Sequence, residues 1–363
     1  MKKLIALLLA ATMTLSLVAC GAKEEPAAEA PAATEEVAAE EETAEEAAPA
    51  GEYDIEGLDE VTIVFSSAAA PSTIDSIFAN RFMEVVTEKS NGQIKFDYTD
   101  GGVLGTLSEL AEGIVNGVCD MTVMDVANFQ SWVPETKLVS MPCLFDGYEH
   151  ANRVYDGEFA TYIEDALLET AGVEVLNWQY AGFREILSVD PITSLEDCKG
   201  VIIRSPEVDT YTTMMELIGL TYVTMSSSEM YTSLNTGIIT AIEQPLNPIY
   251  EQGFYEIAKN LLMSNHIFNT ISLHINADFM NSLPEAYQQI IRDAAVEIEA
   301  EERAQCIADE QGYIQKLEEA GCAINEWDEA SYAELQERFI GYWSEVAAEV
   351  GGEEALQMII DAK

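Results

Sequence analysis

The feature that most limits what this chain can fold into is one long helical run late in the sequence. Ser282-Leu283-Pro284-Glu285 reads as a capping-box start, the run continues over residues 284–320, and Gly321 stops it. At about 1.5 Å per residue, a helix of that length spans more than one small domain. The fold must therefore offer a wide body, or two bodies, for it to lie across.

Around this run, strand-like and helical segments alternate, as in an α/β fold. Residues 61–65 read as a buried strand ending at Ser66-Ser67. Residues 74–89 carry Ile77, Phe78, Phe82, Val85 and Val86 at helical spacing, and Asn91-Gly92 breaks them. A second strand follows at 94–98, a helix at 107–116, and a strand at 121–124 that ends on Asp125. Helices are expected at 150–155 and 159–170, and a strand at 173–178. Further on come a helix at 208–217, a strand at 221–224, a helix at 228–235 and a strand at 238–242. The strand-like run 266–275 is long enough to cross between two lobes, and helices at 331–350 and 353–362 are split by Gly351-Gly352. The Gly101-Gly102-Val103-Leu104-Gly105 loop has the outline of a phosphate loop but no G-K-[ST] and no basic neighbour, so it reads as a tight turn.

The first residues have a different character. Lys2 and Lys3 precede an apolar run over 4–18, shorter than the roughly 20 residues a membrane span needs. Residues 1–19 therefore read as a signal peptide. Residues 20–52 are almost wholly Ala, Glu, Pro and Thr with no apolar stripe to bury, and read as a disordered tether. The folded part is expected over 53–363, about 310 residues, enough for a sizeable core.

Composition narrows the function. With 17 Lys+Arg against 65 Asp+Glu, the formal net charge is −48, which argues against nucleic acid and anionic lipid surfaces as partners. Besides Cys20, five cysteines (Cys119, Cys143, Cys198, Cys306, Cys322) form no C-x-x-C pair, and the three histidines make no metal-ligand spacing with them. No metal and no cofactor are expected. There is no G-x-S-x-G, no H-E-x-x-H and no Cys-His spacing for nucleophilic catalysis, so the reading is a non-enzyme.

In so acidic a chain the few cations stand out. Arg184 follows a glycine turn, and Arg204 ends the run Val201-Ile202-Ile203. A guanidinium takes a carboxylate in a two-pronged hydrogen bond, so the pair reads as an anion clamp. The bland alternative is a salt bridge, from Arg184 to Glu185 or Asp190 and from Arg204 to Glu207 or Asp209. Asp125, just past a buried strand, is placed either to hydrogen-bond ligand hydroxyls or to cap the helix beginning at Val126. Trp178 and Tyr180 lie close enough in sequence to line a cleft or to be core.

The same stretch carries a family resemblance. Gly182-Phe183-Arg184, then Pro191-Ile192, Glu196-Asp197, Lys199-Gly200, Arg204 and Pro206, then Ser228-Glu229 with Tyr231, and Gly237 with Glu243-Gln244-Pro245, resemble the dicarboxylate-binding DctP type of solute-binding protein from tripartite ATP-independent periplasmic (TRAP) transporters. The similarity runs from about residue 61 to the end. It implies a two-lobed periplasmic-binding-protein-like fold with a hinge, one lobe at about 58–181 and 270–309, the other at about 182–269 and 310–363. It implies capture of a small organic carboxylate, with Arg204 as the two-pronged clamp and Arg184 beside it, and with Gln244, Asp125, Ser227 and Ser67 completing the ligand-binding set. Gln244 stands where many relatives have asparagine, Ser227 where some have an aromatic residue, and Ala68 where some have a cleft asparagine, which leaves the ligand's identity open. Leu17-Val18-Ala19-Cys20 resembles a bacterial lipobox, implying lipid on Cys20 and attachment to the membrane by that anchor alone. The partners implied are integral membrane TRAP permease subunits. A binding subunit of an ATP-driven uptake system or of a surface receptor remains an alternative.

Overall fold

The computed structural model describes residues 53–71 and 73–363. The expected signal peptide, Cys20 and the 20–52 tether lie outside these residues. Among the described residues ten strands form one sheet: β1 (Val61–Ser66), β2 (Ile94–Thr99), β3 (Met121–Met124), β4 (Val173–Val175), β5 (Gln179–Ser188), β6 (Ile202–Ser205), β7 (Thr221–Thr224), β8 (Ala241–Pro245), β9 (Asn260–Asn276) and β10 (Ala323–Asn325). Their spatial order is β2-β1-β3-β9-β5-β8-β6-β7, with β4 and β10 also on β9.

Two parallel sets are joined by one antiparallel pair. β1 runs parallel to β2 and β3 on one side, and β6 runs parallel to β7 and β8 on the other. Between them β5 and β9 pair antiparallel. Seventeen residues long, β9 also binds β3 and β4 at its end and β10 at its start. This is the two-lobed α/β architecture, with β5 and β9 as the strands common to both halves.

The β5–β9 pairing is irregular where the halves meet. Arg184 opposes Ile267 but Ile186 opposes Leu262, so one residue on β5, Glu185, faces the four residues 263–266 on β9. The extra residues form a bulge in which Asn265 takes a left-handed φ of 44°. A smaller shift lies between Tyr180 and Gly182. Gly182, read above as part of a turn, sits inside a continuous strand with φ +89°. Glycine marks a bulge as readily as a turn.

The long helix spans Glu285–Glu319, about 50 Å at the usual rise. It lies against the first helix, Ile74–Lys89, and against β5. Its start differs from the expected capping box. Ser282 closes the short helix Ala277–Ser282, and its hydroxyl donates to the Phe279 carbonyl rather than capping the long helix. The cap position falls to Pro284, which makes no side-chain cap. Capping boxes do form at Thr106/Glu109 and Ser226/Glu229. No helix among the described residues is long and apolar enough to cross a membrane.

Candidate functional site

Parallel strands deliver their carboxyl ends to one edge, and in open α/β sheets ligands bind outside that edge. Here both parallel sets deliver to one cavity of about 120 Å³, room for several water-sized atoms. Ala68, Ala69 and Ala70 follow β1, Asp125 follows β3, Arg204 and Pro206 come from β6 and its end, and Gln244 and Pro245 end β8. Arg184 of β5 and Asn269 of β9 line it from the shared strands.

The two arginines, alike in sequence, have different surroundings. Arg184 is consumed by the protein. Its Nε and Nη2 engage both carboxylate oxygens of Glu243, Nη2 also donates to the Glu243 carbonyl at 3.0 Å, and Nη1 donates to Asn269 Oδ1 at 2.7 Å. The Tyr211 ring lies 5.2 Å from the guanidinium carbon. The partner is therefore neither Glu185 nor Asp190. Burial alone would push Glu243 up, but Arg184 and His266 override it and hold the carboxyl at about 2. His266 Nε2 lies 3.4 Å from the same carboxylate, and its Nδ1 is 2.7 Å from Ser264 Oγ.

Arg204 is also buried, but its Nε donates only to the Met225 carbonyl, at 3.1 Å. Among the described residues neither Glu207 nor Asp209, nor any other carboxylate, forms an ion pair with it, and its two terminal nitrogens have no acceptor. Burial, reinforced by Arg184, outweighs the attraction of Glu243 and lowers it to about 10. A guanidinium held charged in a cavity without an acceptor is costly unless something anionic joins it.

Asp125 takes both positions considered for it. Its Oδ1 caps the following turn by accepting from the Ala127 amide at 2.9 Å. Its Oδ2 accepts from Asn269 Nδ2 at 3.0 Å, linking it through Asn269 to Arg184, and the side chain lines the cavity. Burial raises it to about 6, against the pull of the Ala127 amide and Arg184. Gln244 and Ser227 also line the cavity. Ser67 does not. It is fully buried behind the Ala68–Ala70 segment, and its hydroxyl accepts the Ala69 amide at 3.1 Å. Trp178 is core, its indole donating to Glu164, and Tyr180 is buried with its hydroxyl on Asn152.

Several cavity residues were not anticipated, among them Asp75, Tyr211 and Asn269. Asp75, in the first turn of the helix Ile74–Lys89, lines the cavity, and burial raises it to about 6. In sequence it looks like an ordinary acid at a helix start. Tyr211 lines it from the helix Asp209–Ile218. Asn269 had a signal, as a lone amide within the apolar run Ile267-Phe268-Asn269. The five described cysteines are free, and among the described residues no group of three His, Cys, Asp or Glu side chains is set to hold a metal ion.

Comparison with known proteins agrees with this architecture. The family model described as bacterial extracellular solute-binding protein, family 7 (DctP) matches residues 65–349. The 2,3-diketo-L-gulonate-binding periplasmic protein of Escherichia coli is 26% identical over 273 residues, covering 75% of this chain and 83% of that protein. A TRAP periplasmic solute-binding protein of Ochrobactrum anthropi superimposes with a TM-score of 0.73 at 28% identity, over 84% of this chain and 95% of that one. Another, from Chromohalobacter salexigens with bound D-glucuronate, gives 0.77 at 26% identity, over 83% of this chain and 100% of that one. Family match, sheet order and cavity position together make this chain a member of the DctP family, an extracytoplasmic solute-binding protein of the TRAP type.

Proposed function

We propose that the protein captures a small organic carboxylate between its lobes, with Arg204 as the clamp, and hands it to the integral membrane subunits of a TRAP permease. One observation carries this reading. Arg204 presents two donor nitrogens to a cavity in which, among the described residues, no protein carboxylate answers them. A carboxylate supplies the missing acceptors two-pronged. Arg184, already paired, acts as a fixed positive wall beside it. Gln244 and Ser227 supply neutral polar contacts, Asp125 reaches the rest of the ligand, and Ser67 supports the loop behind Ala68. The E. coli relative is named for a keto sugar acid, and the C. salexigens structure holds D-glucuronate, both carboxylates.

Lobe boundaries at about 58–181 with 270–309, and 182–269 with 310–363, put the hinge in β5 and β9, and closure on ligand shifts the population of the two forms. Residues 1–19 act as the signal peptide, and lipid on Cys20 with the 20–52 tether holds the domain at the membrane. Palmitate labelling that persists in Cys20→Ala would refute the anchor. Catalysis has no part in this reading.

The test of capture is thermal-shift screening of the full-length chain against small carboxylates, with Arg204→Ala beside it. Two charge-assisted bonds of about 1.5 kcal/mol or more each make the loss roughly hundredfold in affinity. Carboxylates that stabilise both forms equally would refute the clamp.

A further inference from the structure

The charges lining the cavity restrict the ligand further than a carboxylate alone, granted that Arg204 takes one carboxylate as proposed above. Among the described residues that line it, the cations are Arg184 and Arg204. Arg184 is bonded by Glu243 and Asn269 through all three guanidinium nitrogens. A second ligand carboxylate would therefore meet no unengaged cation.

It would meet carboxylates instead. Asp75 and Asp125 both line the cavity. Asp125 follows β3 and Arg204 lies on β6, with β9, β5 and β8 between them in the sheet, and Asp75, which feels the charge of Asp125, begins the helix that follows β1. The acidic pair thus lines the cavity from the β1–β3 side and the clamp from the β6 side. Asp75 makes no hydrogen bond to another side chain among the described residues, and Asp125, whose Oδ2 accepts from Asn269 and from Ser140 Oγ, keeps acceptor capacity on Oδ1 beside the Ala127 amide. The wall formed by Ala68, Ala69 and Ala70 brings no side-chain donor. Two acceptors facing inward suit hydrogen-bond donors on the ligand. Burial raises both aspartates to about 6, so at pH 7 both remain largely ionised, accepting from hydroxyls while repelling a second carboxylate. A hydroxyl donates to a carboxylate and accepts from a carboxyl, so it serves either form.

We propose that the ligand carries one carboxylate, held by Arg204, and hydroxyl groups that donate to Asp75 and Asp125, so that the site selects a hydroxylated monocarboxylate of the aldonate or uronate kind over a dicarboxylate. Asp75 and Asp125 set this choice by repelling a second negative charge as well as by accepting hydroxyls.

The experiment is isothermal titration of the full-length chain with D-galactonate, D-glucuronate, succinate and L-serine. It is repeated on Asp75→Asn, Asp125→Asn and Arg204→Ala. Asparagine keeps the shape at both positions and still caps at 125. The expected result is that the wild type binds a hydroxylated acid at least tenfold tighter than succinate. Each aspartate variant should narrow that ratio about tenfold, weakening the hydroxy acid and strengthening succinate, while Arg204→Ala loses both. Succinate bound as tightly as the hydroxy acids, with both lost in Arg204→Ala, would overturn this inference and leave the carboxylate clamp standing. Tightest binding of L-serine, or a ratio unmoved by either asparagine, would also overturn it. Hydroxy-acid binding that survives Arg204→Ala would sink the clamp itself, a different failure.

Discussion

Glu243 offers the sharpest test of how the site is held together. It is fully buried, and its carboxylate is shared between Arg184 and His266. Replacing it with glutamine keeps the shape and the backbone acceptor for Arg184, removes the charge and turns one of its two acceptor oxygens into an NH2 donor. A carboxyl held at about 2 rather than the ordinary 4.5 favours its ionised form by roughly 3 kcal/mol. That agrees with the roughly 3–5 kcal/mol for breaking a buried pair from one side. With an unfolding entropy of about 2.1 cal/mol/K per residue over roughly 310 residues, about 3 kcal/mol lowers Tm by roughly 5 °C. Differential scanning calorimetry at pH 7 reads this directly. The acid limb supplies a second, independent check. Because the folded-state value is depressed, the pair's stabilisation is complete above about pH 4.5 and is lost as pH falls toward 2. Glu243→Gln should lack that part of the slope. A variant melting within about 1 °C of wild type, with an unchanged acid slope, would refute the claim that this pair holds Arg184 in place.

Other perturbations probe the two irregularities of the β5–β9 pairing. Glu185 is buried, and although it accepts from the Ser264 and Asn265 amides, burial raises it to about 8. A raised carboxyl stabilises the fold fully below the unfolded value and loses that contribution as pH rises through 8, so wild-type Tm should fall from pH 6 to pH 9. Glu185→Gln should flatten that fall, and an identical pH profile in both proteins would count against the assignment. Gly182→Ala places a methyl 3.1 Å from the Tyr148 hydroxyl at φ +89°. It should lower Tm by several degrees, about 1–3 kcal/mol of strain, and an unchanged Tm would show that the bulge adapts.

How much of this could be read from the sequence varied with the range of the interaction. Arg204 was legible because a cation at the end of an apolar run is conspicuous in a chain with 17 basic residues. The difference between it and Arg184 was not, since Glu243 lies 59 positions away and meets Arg184 only through the β5–β8 pairing. Asp125 allowed two readings because a strand end and a helix start share that residue, and the structure uses it for both. Strand β8 begins at Ala241 rather than 238, so Glu243 and Gln244 lie within it instead of after it. Ser282 matched a capping pattern that its own short helix preempts, and Gly182 looked like a turn because a bulge uses the same residue type. Local patterns named the elements, and register decided which side chains met.

The placement of β9 also governs how the chain can reach this state. Its partners β3 and β4 lie well upstream, with Met121 opposite Ile275, while β10 lies downstream. Neither half of the sheet is complete until residue 276 has been made, and until then β3 and β5 each present an open edge. Such a topology has many contacts between residues distant in sequence, and folding of that kind is slow. At roughly 5–20 residues per second of synthesis, tens of seconds pass before the closing strand exists. A chain made for the far side of a membrane thereby stays threadable for most of its synthesis, because the strand that locks both lobes is among the last to be made.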